Sequence, residues 1–302
     1  MLYYADHFTL PLPEGHRFPM AKYARLRDRL RASGMFAPEA FRVPEAASDV
    51  EITRAHCPRY LERMELGAMS HAEMKAIGFP WSRAMVERSR RSSGATLAAC
   101  REALCNGWAA NLAGGTHHAF RDRGEGYCVF NDAAIAARAM QAQAGLSRVA
   151  ILDCDVHQGN GTASIFAGDD SVFTFSIHGA KNFPFDKQKS DLDIELADGT
   201  GDDEYLRHLE RGLGEALERS RPQLAIYLAG ADPYEDDRLG RLKLTKAGLA
   251  RRDRHVLATL RERGIPVAIA MAGGYGRNLD DTVEIHATTV LAARDLWHHS
   301  IP

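Results

Sequence analysis

Four short apolar runs, each ending in polar or glycine-rich residues, constrain this chain more than any other feature. Arg148–Val156, Ser171–His178, Gln223–Ala229 and Pro266–Ala272 read as strands, and helical composition over 130–144, 202–220 and 245–263 lies between or beside them. Strand followed by helix, repeated, predicts a largely parallel sheet covered by helices on both sides, because parallel neighbours need a long crossover. A short strand is also expected near Leu2–Ala5. Upstream the chain is turn-rich from Pro11 to Pro19 and helical over 21–32. Another helix opens near Met69, and a longer one, introduced by Pro80, runs to about Leu112.

The 302 residues contain no repeat, linker or low-complexity tract and allow one large domain or two small ones. A net charge of −2 leaves no global basic field for nucleic acid or an anionic membrane. No apolar stretch reaches membrane-spanning length and no signal-peptide pattern opens the chain. The 5 cysteines are scattered without a Cys-x-x-Cys pair, which points to a reducing cytoplasm.

The polar clusters fall just after the strands, where open α/β sheets bind ligands. Asp153-Cys-Asp-Val-His157 ends the first run and turns through Gln158-Gly-Asn-Gly161. Alternation along a strand puts Asp153, Asp155 and His157 on one face, a set suited to a divalent metal. Asp232 follows the third run and completes a three-ligand set with an open position for water and substrate; a plain turn cap before Pro233 is the alternative. Two oxygens and one nitrogen keep iron(II) open beside zinc. His117-His118, after Gly114-Gly-Thr116, offers a base and a proton donor if the two imidazoles differ in surroundings, and otherwise is a surface pair. Asp153 and Asn160 are placed to orient one imidazole each. Tyr275, after two glycines, is a phenol for a developing oxyanion or an ordinary core tyrosine. Cys128 and Cys154 read as buried small residues rather than nucleophiles.

These pieces resemble the histone deacetylase family of metal-dependent amidohydrolases, related in fold to arginases, and look closest to its class IV-like branch with bacterial members. The matching motifs run in family order over almost the whole chain: Gly15–Met20, Gly78–Trp81, Gly114–His118, Gly126–Asp132, Asp153–Thr162, Asn182–Phe185, Gly230–Gly240 and Gly273–Tyr275. The resemblance implies a single arginase-like three-layer α/β/α domain over 1–302 whose loops shape a narrow tunnel. By position, Asp155, His157 and Asp232 match the metal ligands and His118 the general base. His117, paired with Asp153, is its neighbour near the leaving amine, and Tyr275 matches the carbonyl-polarising phenol. Asp153, Asp155, His157 and Ser176 resemble a potassium site. Gly126, Tyr127, Phe183 and Gly274 fall along the substrate tunnel, and Arg17 matches an arginine at its inner end.

Three positions depart from common family patterns. Asn160 stands where some branches carry Asp, Gln158 where some carry His, and Tyr127 replaces a common Phe. An amide orients His118 but stabilises its cation less than a carboxylate would. The implied activity is hydrolysis of an acyl group, acetyl first, from a lysine side chain in a protein or peptide. The alternatives are a small acylated amine such as an acetylpolyamine, a long-chain acyl-lysine, or a non-catalytic acyl-lysine binder.

Overall fold

A computed structural model describes residues 1–298 apart from Thr9 and Pro11, so the turn-rich stretch begins outside the described residues. Eight strands form one sheet: β1 (Leu2–Tyr3), β2 (Phe41–Arg42), β3 (Trp108–Asn111), β4 (Val149–Asp153), β5 (Val172–Gly179), β6 (Leu192–Leu196), β7 (Leu224–Leu228) and β8 (Val267–Ala270). Their order is β2-β1-β3-β8-β7-β4-β5-β6 and every neighbouring pair is parallel. The order reverses at β4, which lies between β7 and β5, and the carboxyl ends of these strands open onto one edge.

The helices are α1 (Ala21–Ala32), α2 (Asp49–Ile52), α3 (Pro58–Leu66), α4 (His71–Ile77) and α5 (Arg83–Asn106), followed by α6 (Asp132–Ala144), α7 (Asn160–Ile165), α8 (Asp202–Ser220), α9 (Lys246–Glu262) and α10 (Leu279–His298). The strand alternation sorts them into two layers. Ala150, Leu152, Tyr227 and Ile269 face a core shared with α1, α8, α9 and α10. Val149, Ile151, Ile226 and Ala268 face the opposite core, built on α3, α5 and α6. Both faces of β3, β4, β7 and β8 are therefore buried, which is why these strands read as continuous apolar runs rather than alternating ones. The outcome is a single arginase-like three-layer domain. Among the described residues no helix is long and apolar enough to cross a membrane.

Helices α1 and α8 run over the expected spans, whereas three strands were not foreseen. β3 lies inside the stretch expected to continue a helix to Leu112. That helix stops at Asn106 because Gly107, at φ 84°, turns the chain into the sheet. β6 is an edge strand alternating Leu-Asp-Ile-Glu-Leu and only partly buried, so its composition lacks the apolar run of a central strand. β2 has two residues. Helix α10 had no assignment in the sequence reading.

Candidate active site

Strand β4 ends at Asp153, earlier than expected, so the pleat does not carry Asp155 and His157. Two successive Asx turns do so instead: the Asp155 amide donates to Asp153 Oδ1 (3.1 Å) and the His157 amide to Asp155 Oδ1 (2.9 Å). The two-residue spacing survives because each carboxylate caps the amide two positions on. Asp155 Oδ2 accepts from the Gly273 amide (2.7 Å), and Asp232 Oδ1 from the Val156 amide (2.9 Å). Gly273 has to be glycine, since a Cβ there would collide with Asp232 Oδ2. These bonds tie the segments after β4, β7 and β8 into one floor.

One ligand atom from each of Asp155, His157 and Asp232 lies within 4.8 Å of the others, and all three residues are buried. Asp232 Oδ2 accepts no hydrogen bond. His157 Nδ1 is 3.3 Å from it, but the bond from that nitrogen goes to Asp155 Oδ1 at 2.9 Å. Burial, followed by the neighbouring Asp155 charge, pushes the Asp232 carboxyl up to about 7. A buried carboxylate oxygen without a partner, facing an imidazole and a second carboxylate, fits a cation.

Behind the floor lies Arg252, fully buried, a correction to the sequence expectation that the basic run Arg251–Arg254 is a solvated helical face. Its Nη1 donates to the carbonyls of Cys154 (3.1 Å) and Gly230 (2.7 Å), and its Nε to Asp253 Oδ1 (2.8 Å). Asp253 also accepts from the Tyr227 and Thr289 hydroxyls. One guanidinium thus clamps the two chain segments that lead into Asp155 and Asp232.

The His117-His118 loop is held by Asp132 at the start of α6. Its carboxylate accepts from the amides of Gly115 (2.9 Å) and Thr116 (2.7 Å) and from the Thr96 hydroxyl (2.6 Å). The two histidines are buried with ring centroids 4.1 Å apart, yet their partners differ. His117 Nδ1 lies 2.6 Å from Asp153 Oδ2, and His118 Nδ1 lies 2.7 Å from Asn160 Oδ1. Burial alone would lower both. For His117 the charges of Asp153 and Asp155 outweigh burial and raise it to about 9. For His118 burial is reinforced by the charges of His117 and His157, which hold it well below the ordinary histidine value. The pair therefore carries one proton-rich and one proton-poor imidazole.

Tyr275 stands across the cavity, its amide donating to Asp237 Oδ2 (2.6 Å) and Lys22 Nζ lying 5.3 Å from its ring centre. Burial raises its phenol well above the ordinary value, so it stays protonated. The cavity between these groups measures about 430 Å³. Gly126, Tyr127 and Phe183 line it, with Phe183 edge-on to the His118 ring at 4.9 Å. Gly126, at φ 53°, has His118 Cδ2 and Phe183 at 2.8 and 3.1 Å from where a Cβ would sit, so only glycine lets this wall approach the histidine.

Two expectations are corrected here. Gly274 does not line the tunnel: a Cβ there would face Thr282, Ala231 and His286, and Gly273 is the residue on the cavity side. Arg17 is exposed and does not line the cavity; the buried cation that does is Lys22, on α1, whose Nζ donates to the carbonyls of Ala272 (3.3 Å) and Gly274 (3.4 Å). Lys22 sits in a helix whose sequence looks like an ordinary solvated one, so only a family alignment of that segment would have marked it. Ser176 pairs in register with Asp153 across β4 and β5, and its Oγ lies 2.9 Å from His178 Nδ1. Cys128 and Cys154 are buried, and burial pushes the Cys154 thiol up to about 12.

Residues 16–291 match the family described as histone deacetylase domain. The chain is 43% identical over 297 residues to an uncharacterized protein of Picosynechococcus, covering 98% of this chain and 99% of that one. It is 32% identical over 283 residues to the histone deacetylase-like amidohydrolase of Pseudomonas aeruginosa, covering 88% of this chain and 74% of the relative. In fold it is similar to the acetylpolyamine aminohydrolase of Burkholderia pseudomallei, with a TM-score of 0.77, 24% identity, and 98% and 99% of the two chains covered. A family match over residues 16–291, with a relative of that family 32% identical over 88% of the chain, shows that the chain belongs to the histone deacetylase family.

Proposed function

We propose that the protein is a metal-dependent deacylase that hydrolyses acyl-lysine, with acetyl-lysine as the first acyl form, the whole chain serving as one catalytic unit. The observation that carries this reading is the split histidine pair beside a buried Asp-His-Asp set: two adjacent imidazoles with opposite proton affinities next to a carboxylate oxygen that lacks a partner.

Asp155, His157 and Asp232 would hold the metal; zinc suits two oxygens and one nitrogen with an open position, and iron(II) is the alternative. Bound there, a divalent ion supplies Lewis acidity toward the acyl carbonyl and lowers the pKa of water. His118 donates its Nδ1 proton to Asn160 and keeps a lone pair at Nε2, where it takes the proton of the attacking water. His117, held as an imidazolium by Asp153, keeps the proton affinity of His118 low. Protonated His118 is then a strong enough acid to return the proton to the departing amine. The Tyr275 hydroxyl, held protonated, donates to the oxyanion. Tyr127 and Phe183 flank the aliphatic stem of the lysine and exclude water from it. Backbone carbonyls around Asp153, Asp155 and His157, with Ser176, would hold a structural potassium ion by the family resemblance. Five unbridged cysteines support a cytoplasmic enzyme.

The test is amine release from an acetyl-lysine peptide, a long-chain acyl-lysine peptide and an acetylpolyamine by metal-reconstituted protein, each with and without a chelator. Chelator-sensitive turnover of the acetyl-lysine peptide is expected. Turnover of the acetylpolyamine alone would favour the small-amine reading. No turnover by folded, metal-loaded protein would favour a binder. Asp232→Asn is expected to lose metal occupancy in elemental analysis, and full occupancy would remove Asp232 from the ligand set.

A further inference from the structure

The charge of the cavity wall is strongly one-sided. Among the described residues the only carboxylates lining the cavity are Asp155 and Asp232, at the floor, whereas Lys22, Lys75, Arg88, Lys181 and Arg241 all line it. Lys22 is buried and Arg88 half-buried under the rings of Phe18 and Tyr23; Lys75, Lys181 and Arg241 are exposed and mark the mouth. Among the described residues neither Lys75 nor Lys181 has a hydrogen-bond or ion-pair partner. The carboxylates nearby in sequence are mostly engaged: Glu73 by Arg63 at 2.6 Å, Glu125 by Arg123 at 3.3 Å, and Asp198 by Arg241 at 3.2 Å. Asp186 is exposed, but its loop also carries Lys181, Lys187 and Lys189. Phe185, 83% exposed, projects from that same loop.

An acyl-lysine that places its carbonyl at the floor leaves its flanking residues at this mouth. We propose, resting on the deacylase reading above, that the enzyme selects acyl-lysine within an acidic peptide segment, with Lys75 and Lys181 as the specificity-determining cations. A polyamine, which brings further ammonium groups and no anion, meets repulsion at the same place, as does a lysine- and arginine-rich segment. Exposed charges act over a screening length of about 8 Å at physiological ionic strength, so the selection works mainly through encounter and weakens with salt.

The experiment uses three acetyl-lysine peptides of equal length, flanked by Asp and Glu, by neutral residues, or by Lys and Arg, with acetylspermidine as a fourth substrate. At low ionic strength kcat/KM for the acidic peptide is expected to exceed that for the basic one by about ten-fold, approaching parity as salt rises. The Lys75→Glu/Lys181→Glu double variant, changed only at exposed positions, is expected to invert the ranking. Equal or basic-favouring values at low salt, or an unchanged ratio in the double variant, would overturn the proposal. If no peptide is turned over, the deacylase reading fails, and fluorescence-anisotropy binding of the same peptides still decides the charge selection. An acidic preference in binding upholds it; parity sinks it.

Discussion

At the floor of the cavity Asp155, Asp232, His117 and His118 are 0–4% exposed and fixed by amides or side chains from other segments. At the mouth Phe185 is 83% exposed, and Lys75 and Lys181 reach into solvent without partners among the described residues. The floor is preorganised: its groups cannot move without breaking buried hydrogen bonds, which is what directed proton transfer and charge stabilisation require. The mouth can only bias which molecules arrive. Substitutions at the two levels should therefore differ in size as well as in kind.

The largest effects belong to the proton-handling groups. His118→Ala should lower kcat by ~10²–10⁴-fold and Tyr275→Phe by ~10²–10³-fold, both with metal content preserved. A variant of either that turns over like the parent would dissolve the contrast between floor and mouth. Next comes the clamp beneath the floor. Arg252→Met leaves Asp253 buried without its cation and should cost about 3–5 kcal/mol in a urea titration of the metal-free protein. An unchanged midpoint would mean that the floor does not depend on that guanidinium.

A third test separates general burial from the site. His56 is buried between Tyr60 and Phe130 and accepts the Asn131 amide at 2.8 Å, and burial lowers it to about 4. Its folded value lies below the unfolded one, so between about pH 6.5 and 4 the unfolded chain binds the extra proton. Its contribution is full above about pH 6.5 and falls away toward pH 4, a loss of about 3 kcal/mol. Comparing urea midpoints at both ends of that window for the parent and His56→Gln isolates this term; equal slopes would refute it. The smallest effect is expected from Phe185→Ala, within about 0.5 kcal/mol of the parent by thermal melting. A larger loss would show that the mouth is packed rather than free.

Most of the floor was legible because its signals are local. Asp153, Asp155 and His157 are two residues apart, His117 and His118 are adjacent, and each group sits where an apolar run stops. The reason given for the first spacing was incomplete, since Asx turns rather than strand pleating hold Asp155 and His157. β3 was hidden because helical composition runs up to Gly107, and the edge strand β6 because half of it faces water. Arg17, matched through the resemblance to the inner cation, is exposed, whereas Lys22 on α1 donates to the carbonyls of Ala272 and Gly274 after β8.

By itself the sequence determined the layered parallel architecture and the identity of the chemical groups at the strand ends. Burial on both faces of a parallel sheet writes itself into continuous apolar runs, and the ends of those runs are where polar residues become usable. Only the tertiary structure decided which charges meet. Lys22, Lys75, Lys181 and Arg241 come from four distant segments, and Arg252 reaches two strand ends far from it in the chain. No local pattern encodes such encounters, because a charge is the same residue in sequence whether it ends in solvent, in a clamp or at the mouth of a cavity.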